Sequence, residues 1–278
     1  MVNKIRGKLT NYQIIVLAYL AVVFLGAVLL TLPVSAKNGR ATPFIDALFT
    51  STSSASITGL SVYDTFTHWT FFGQLVILLL IQIGGMGFMS LMTMVLIFVR
   101  HHLTLSEKTL LAQSASSPKI GVAVGLVKYI AAVTLSFETI GAFLLAFKYV
   151  PLLGWAHGVW AAVFNAVSAF CNCGFELLGA IKPFSSLSLF ALDPLVNIVI
   201  MILIVTGGLG FLVWSDLVEK KFNYKKLSLH TITVIWTTLV LIAGGAALFL
   251  VFEWNNSFAA MNPWQKIMAA FFQSVTPR

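Results

Sequence analysis

The sequence is poor in charge and poor in cysteine. Only 9% of its 278 residues are charged, against about 25% in an ordinary soluble domain. Its two cysteines are too few for a disulfide framework, and with five histidines they offer little material for a metal centre. No catalytic Ser/His/Asp set, carboxylate pair or phosphate-binding loop occurs in a plausible context. We therefore predict that the chain is not an enzyme and needs no cofactor.

Apolar residues make up 59% of the chain instead. Five apolar runs are long enough, at roughly 20 residues or more, to cross a bilayer. They cover residues 12–32, 71–99, 121–147, 194–214 and 229–252. The predicted fold class is all-α, a multi-pass integral protein of the cell membrane in contact with the lipid bilayer.

Three shorter, half-apolar segments separate some of these runs. They cover residues 43–55, 157–170 and 263–275. At roughly 12 to 14 residues they are too short to span, which suits re-entrant helices.

The basic residues indicate the orientation, because Lys and Arg accumulate in cytoplasmic loops. They are concentrated before the first run, between the second and third, and between the fourth and fifth. We expect a cytoplasmic N-terminus, with the short segments opening to the outside. The net charge of +8 follows from this topology and suits anionic lipid. Nucleic-acid binding is not expected, since no aromatic residues interleave with the basic ones.

An internal repeat organises the chain. The stretch ALFTSTSSASITGL (47–60) aligns with AVFNAVSAFCNCGF (162–175), and GGMGF (84–88) recurs as GGLGF (207–211). A third copy begins in the fifth run and reaches AFFQSVTPR (270–278). We predict two complete span–pore-helix–span units and the start of a third, in a C-terminally truncated sequence. The predicted boundaries are 1–100 and 121–218 for the complete units, 229–278 for the incomplete one, and 101–120 and 219–228 for cytoplasmic loops.

The Ser/Thr-rich segment before Gly59 is unusual in so apolar a chain. Non-helical backbone survives at membrane depth only when protein shields it or it lines a wet cavity. A helix that enters from outside directs its partially negative C-terminal end toward the membrane centre, which favours a cation. Oxygens that point one way need a backbone geometry that a side chain would penalise, and Gly59 and Gly174 would supply it.

These motifs resemble the Trk/Ktr/HKT superfamily of potassium transporters, and most closely the bacterial Ktr-type membrane subunit. The resemblance is carried by FIDALFTSTSSASITGLSVYDT, IQIGGMGF, NAVSAFCNCGF and FFQSVTPR. It implies four units around a central pore, each with one filter glycine, and uptake of potassium without chemistry. The expected selectivity filter comprises Ser56, Ile57, Thr58, Gly59, Cys171, Asn172, Cys173 and Gly174.

The resemblance also implies partners. Relatives are homodimers on a cytosolic ring of nucleotide-binding regulatory subunits, for which the basic loops 100–108 and 219–226 are candidate docking sites. The transported ion would be K⁺, with Na⁺ as a possible coupling ion, and no metal is expected beyond K⁺ in the filter. The family's gating loop lies in a segment that this sequence does not reach. The alternatives are an alternating-access cation carrier and a non-conducting membrane anchor for regulatory subunits.

Several other residues are candidates for a functional or a structural role. Asp46, Asp64 and Glu176 could concentrate cations at the pore mouth or serve as caps and solvated surface. Glu138, an acid inside the third run, is expected to have a functional or hydrogen-bonding role that the sequence does not specify. Gly84 and Gly207 are predicted to be packing or bending residues rather than nucleotide loops.

Overall fold

A computed structural model describes residues 11–86 and 120–277. The described part is helical, and its one β-type pairing is an isolated bridge between Ala36 and Trp69. The helices in chain order are α1 Asn11–Thr31, α2 Phe44–Ala55, α3 Thr65–His68, α4 Phe71–Gly85, α5 Ile120–Leu153, α6 Trp155–Phe170, α7 Pro194–Gly208, α8 Phe211–Glu219, α9 Leu229–Glu253 and α10 Pro263–Val275. Short 3₁₀ helices lie at Pro33–Ser35, Leu178–Ala180, Ser186–Phe190 and Tyr224–Lys226. The all-α prediction is confirmed.

The chain divides into two compact units, residues 1–132 and 133–278. In the first unit α1, α2 and α4 pack against one another. In the second, α6 packs on α7, α9 on α10, α7 on α10, and α8 on α9. Each of the short helices α2, α6 and α10 therefore lies against at least one of the longer apolar helices.

The three short helices coincide with the predicted re-entrant segments, because α2, α6 and α10 each begin within two residues of the expected start and end at the expected residue. Among the residues that the structure describes, two helices contain 25-residue stretches apolar enough to cross a membrane, Tyr129–Leu153 and Leu229–Glu253. Val16–Thr31 and Phe71–Gly85 are shorter apolar helices. The second predicted run continues past Met86, and that part, with residues 101–119 of the predicted loop, lies outside the described residues.

The predicted span over residues 194–214 is not one continuous helix. Helices α7 and α8 meet at 90°, with the break at residues 209–210. Gly210 has a φ of +84°, a conformation that a side chain disfavours. The indole Nε1 of Trp214 donates to the Thr206 carbonyl at 2.9 Å, so a side chain replaces a backbone bond that a straight helix would have made.

The start of α7 is fixed by one carboxylate that uses both of its oxygens. Asp193 Oδ1 accepts from the backbone N–H groups of Leu195 and Val196 at 3.0 and 3.2 Å. Asp193 Oδ2 lies 2.7 Å from the Lys148 ammonium on α5. Burial opposes ionisation of Asp193, but the bonds from Lys148 and from the two N–H groups outweigh it and lower its pKa. The cap therefore also ties α7 to α5.

Replacement of Asp193 separates these two roles. Asp193→Ala is expected to lower the free energy of unfolding by about 1 kcal/mol through loss of the N-cap, whereas Asp193→Asn keeps an acceptor and loses only the ion pair. Because the folded-state pKa is lowered, the advantage of wild type over Asp193→Asn is full at neutral pH and disappears as the pH falls through that pKa. Thermal unfolding in detergent across this pH range measures it; a pH-independent difference contradicts the prediction.

Candidate functional site

The Ser/Thr-rich helix α2 satisfies most of its hydroxyl groups within itself. The hydroxyls of Thr50, Thr52, Ser54 and Ser56 each donate to the carbonyl four residues earlier, at 2.7 to 2.9 Å. Ser51 instead reaches α1 and donates to the Val23 carbonyl at 2.7 Å. A polar helix can thus lie among apolar ones, because few of its donors are left without an acceptor.

The loop after α2 turns through a Schellman motif. The N–H of Thr58 donates to the Ser53 carbonyl at 2.8 Å, and that of Ile57 donates to the Ser54 carbonyl at 3.3 Å. These bonds occupy carbonyls near the helix end. Among the residues that the structure describes, the carbonyl oxygens of residues 56–59 accept no hydrogen bond. Unbonded main-chain oxygens therefore follow the negative end of a helix.

The loop after α6 has the same geometry. The N–H of Cys173 donates to the Ser168 carbonyl at 2.8 Å, and that of Asn172 donates to the Ala169 carbonyl at 3.1 Å. Gly174 has a φ of +91°, as Gly59 has one of +74°. Cys171 and Cys173 are buried thiols, not joined in a disulfide. The repeat read from sequence is therefore also a repeat of backbone structure.

The expectation that glycine supplies the special backbone geometry was incomplete. Ile57 and Asn172 each have a φ of +58°, two residues before the loop glycines. A β-branched residue at positive φ is an outlier that costs about 1–3 kcal/mol and persists only where its surroundings impose it. Each loop thus contains two left-handed residues, and the first of them carries no glycine signal in the sequence.

Gly84 and Gly207 are packing residues, as predicted. A Cβ built on Gly84 would lie 2.2 Å from the Ala55 carbonyl oxygen, and one on Gly207 would lie 1.8 Å from that of Phe170. Ala55 and Phe170 are the last residues of α2 and α6. In both repeats the helix that carries this glycine, α4 or α7, therefore passes directly against the C-terminal carbonyl of the short helix, α2 or α6, which only glycine permits.

A serine in the first and third repeats joins the short helix to the long helix that precedes it. Ser51 lies against Gly26, and Ser274 lies against Gly245 and donates to the Ile242 carbonyl at 2.8 Å. Alignment places Ala166 at this position in the second repeat. Ala166 has no hydroxyl group and cannot make the same bond.

The predicted pore-mouth acids all have local partners. Asp46, in the first turn of α2, accepts from the Tyr63 hydroxyl at 2.7 Å. Asp64 is buried and caps α3, accepting from the N–H three residues on at 2.8 Å. Glu176 accepts a short hydrogen bond from the Leu178 N–H. A role of these acids in concentrating cations stays a prediction.

Glu138 is buried within α5, with 6% of its surface exposed. The ring of the preceding residue, Phe137, stacks on that of Phe170 with 6.0 Å between the centroids, so this part of α5 lies near the loop that follows α6. Thr134, one turn earlier on the same face, is fully buried. The expected polar role of Glu138 therefore has a location, close beneath the second loop.

A cavity of about 210 Å³ borders the second loop. Its walls include Ser168, Asn172, Gly174 and Glu176, together with Phe272 and Thr276 from the end of the third short helix and the residue after it. Within the described part of the protein, Ser168 Oγ and Asn172 Oδ1 have no hydrogen-bond partner. The C-terminal end of α10 thus faces the loop that follows α6.

These paired loops match a known family. The family model described as TrkH, cation transport protein, matches residues 5–278. The chain belongs to this family. The family is one of cation transport proteins rather than of enzymes, which agrees with the sequence prediction.

Relatives of this TrkH-family chain agree. The potassium/sodium uptake protein NtpJ of Enterococcus hirae is 36% identical over 100% of this chain, and the Ktr system potassium uptake protein B of Bacillus subtilis is 38% identical over 98%. The chain spans 60% of the length of each. The crystal structure of the potassium transporter TrkH from Vibrio parahaemolyticus superimposes with a TM-score of 0.62 at 17% identity, covering 96% of this chain and 49% of that one, which shows a common fold.

Proposed function

We propose that the natural protein takes up potassium across the cytoplasmic membrane, with the carbonyls of residues 56–59 and 171–174 as part of its ion filter. The observation that carries the proposal is the shared Schellman turn and paired positive φ angles of the two loops. Such loops can offer backbone oxygens in place of a hydration shell, which is how K⁺ filters work. The names of the relatives, which are uptake proteins for potassium or for potassium and sodium, support the same ion class.

The wider assembly follows the same proposal. The units surround one pore, the N-terminus is cytoplasmic, and the protein acts as a homodimer with a cytosolic ring of regulatory subunits. The basic turn 219–226 is a candidate contact for that ring, and Na⁺ is a candidate coupling ion. The pore-helix ends support a radial arrangement, because α10 packs on α7 and its C-terminal end faces the second loop.

The test is complementation of a potassium-uptake-deficient bacterium with the natural full-length protein, at low potassium and with sodium varied. Wild type is expected to restore growth. Gly59→Ser is expected to lower the preference for K⁺ over Na⁺ by about 10-fold or more, equivalent to about 1.4 kcal/mol, because a side chain disturbs a left-handed filter residue. The matched control is Gly39→Ser, since Gly39 also has a positive φ, +66°, with no atom near its missing Cβ.

Other outcomes point to other functions. A membrane anchor predicts that Gly59→Ser leaves uptake unchanged. An alternating-access carrier predicts saturable uptake whose ion preference does not change in Gly59→Ser. Loss of preference in both Gly59→Ser and Gly39→Ser indicates a general folding defect and contradicts a filter role.

A further inference from the structure

The backbone segment after each loop glycine, called the limb, covers residues 60–63 in the first repeat and 175–177 in the second. Its position has to be fixed by contacts with the rest of the protein. Residues 59–62 make no hydrogen bond to the described part of the protein. An ion filter requires its oxygens to be fixed within about 0.5 Å, which a limb held at one end does not provide. The contacts at the far end of the limb therefore matter.

In the first repeat, the far end is fixed by a side-chain pair. The Tyr63 hydroxyl donates to Asp46 Oδ2 at 2.7 Å, which joins the limb to the first turn of α2. The ring of His68 stacks on that of Tyr63 at 4.0 Å and 8°. His68 Nε2 is in turn 3.1 Å from the hydroxyl of buried Thr42. The Tyr63 ring is thus held at its hydroxyl and on one face.

In the second repeat, the limb is held by hydrogen bonds of a buried side-chain amide. Asn165 lies on α6 with 3% of its surface exposed. Its Oδ1 accepts from the backbone N–H of Leu177 at 3.2 Å, three residues after Gly174. Its Nδ2 donates to the hydroxyl of fully buried Tyr149 on α5 at 3.2 Å. The limb is therefore tied to its own pore helix and, through that helix, to the preceding span.

We propose that Asp46 and Asn165 are positioning residues for ion selectivity, each holding the limb after the loop glycine against its own pore helix. The proposal rests on the proposed function. It assigns Asp46 a structural role through Tyr63, in place of the attraction of cations by its charge. Because Asp46 and Asn165 do not occupy aligned positions, the two repeats reach the same end by unrelated contacts.

The experiment measures K⁺ and Na⁺ flux into liposomes containing the natural full-length protein and its variants. Tyr63→Phe removes one hydroxyl and keeps the ring on His68. Asn165→Leu removes both amide bonds at similar volume. Each is expected to lower the K⁺/Na⁺ flux ratio about 2- to 10-fold, the factor that corresponds to one net hydrogen bond. Asp46→Asn keeps an acceptor for Tyr63 and is expected to retain the wild-type ratio.

The variants separate positioning from surface charge. A raised KM for K⁺ in Asp46→Asn, together with a wild-type ratio in Tyr63→Phe, would overturn the proposal and restore Asp46 as a pore-mouth charge. A wild-type ratio in both Tyr63→Phe and Asn165→Leu also overturns it. Tyr224→Phe is the control, because the Tyr224 hydroxyl, in the turn before α9, accepts from the indole N–H of Trp236 on α9. This variant is expected to leave the ratio unchanged.

A second readout is independent of transport. Hydrogen–deuterium exchange is followed at Thr67 and His68, whose N–H groups donate to Asp64 just after the limb. It is expected to rise in Tyr63→Phe and to stay at the wild-type level in Asp46→Asn. If wild type carries no K⁺, the proposed function fails, and exchange alone then decides whether the limb is held. Unchanged exchange in Tyr63→Phe overturns the contact as a positioning device.

Discussion

Gly207→Ala is expected to prevent the second repeat from folding correctly. A Cβ at this position would lie 1.8 Å from the Phe170 carbonyl oxygen. Since real Cβ atoms essentially never approach closer than 3.0 Å, the end of α6 or the whole of α7 must move by roughly 1 Å or more in a close-packed interior. The cost is expected at or beyond the upper end of the ~1–3 kcal/mol that overpacking usually brings.

The neighbouring glycine supplies a matched control for this variant. A Cβ on Gly208 would meet only Asn172 Nδ2 at 3.4 Å, an ordinary contact. Gly208→Ala is therefore expected to leave the stability of the protein nearly unchanged. Gly207→Ala is expected to lower the yield of monodisperse protein and to lower the melting temperature in detergent by several degrees. Equal melting temperatures for the two variants would show that α7 does not need this close approach. Gly84→Ala, with its contact at 2.2 Å, is expected to resemble Gly207→Ala.

Lys266→Met is expected to lower the free energy of unfolding by about 2 kcal/mol. Lys266 lies on α10 with 7% of its surface exposed. Its ammonium donates to the Trp254 carbonyl at 2.7 Å and lies 4.4 Å from the indole centroid. A hydrogen bond to a charged group contributes about 1.5–3 kcal/mol, and the cation–π contact about 0.5–1 kcal/mol. Methionine keeps the apolar stem, so the difference reports the ammonium.

The control for Lys266 is a lysine whose charge is solvated. Lys220 is 3.7 Å from Glu219 and both side chains are exposed, an arrangement that contributes about 0–1 kcal/mol. Thermal unfolding in detergent should therefore separate Lys266→Met from Lys220→Met. A similar melting temperature for both variants contradicts a structural role of the buried ammonium.

Much of the fold could be predicted from the sequence because a membrane restricts the structures that an apolar segment can adopt. Runs of about 20 apolar residues indicate spans, and shorter ones between them do not reach across. The limits of α2, α6 and α10 were predicted within two residues. The alignment of residues 47–60 with 162–175 also predicted matching turns, and the hydrogen bonds of the two loops agree position by position.

The glycine motif allowed a bend between α7 and α8, but its 90° angle and its position were not predicted. Hydropathy is continuous across residues 209–210, so an apolar run gives no sign of a break. The bend depends on the positive φ of Gly210 and on a hydrogen bond from the Trp214 indole N–H to the Thr206 carbonyl, across the break between the two helices. Gly207 and Gly210 belong to one motif, yet one serves close approach and the other a turn, a distinction that composition does not contain.

The candidate site divides in the same way. Gly59 and Gly174 were found from sequence because glycine at a helix end has few other reasons to recur. Ile57 and Asn172 were named only for their backbone carbonyl oxygens, since nothing in an isoleucine predicts a left-handed backbone. The role of Tyr63 was missed because its partner, Asp46, is separated from it along the chain by the rest of α2 and by the loop.

By itself, the sequence determined the membrane environment, the repeat and the helix limits, because these follow from apolar run length and local pattern. Only the tertiary structure decided which glycines touch a neighbouring carbonyl, which acids are caps, and what holds the limbs of the loops. Those properties depend on distances between residues that are remote along the chain, and no local pattern encodes such distances.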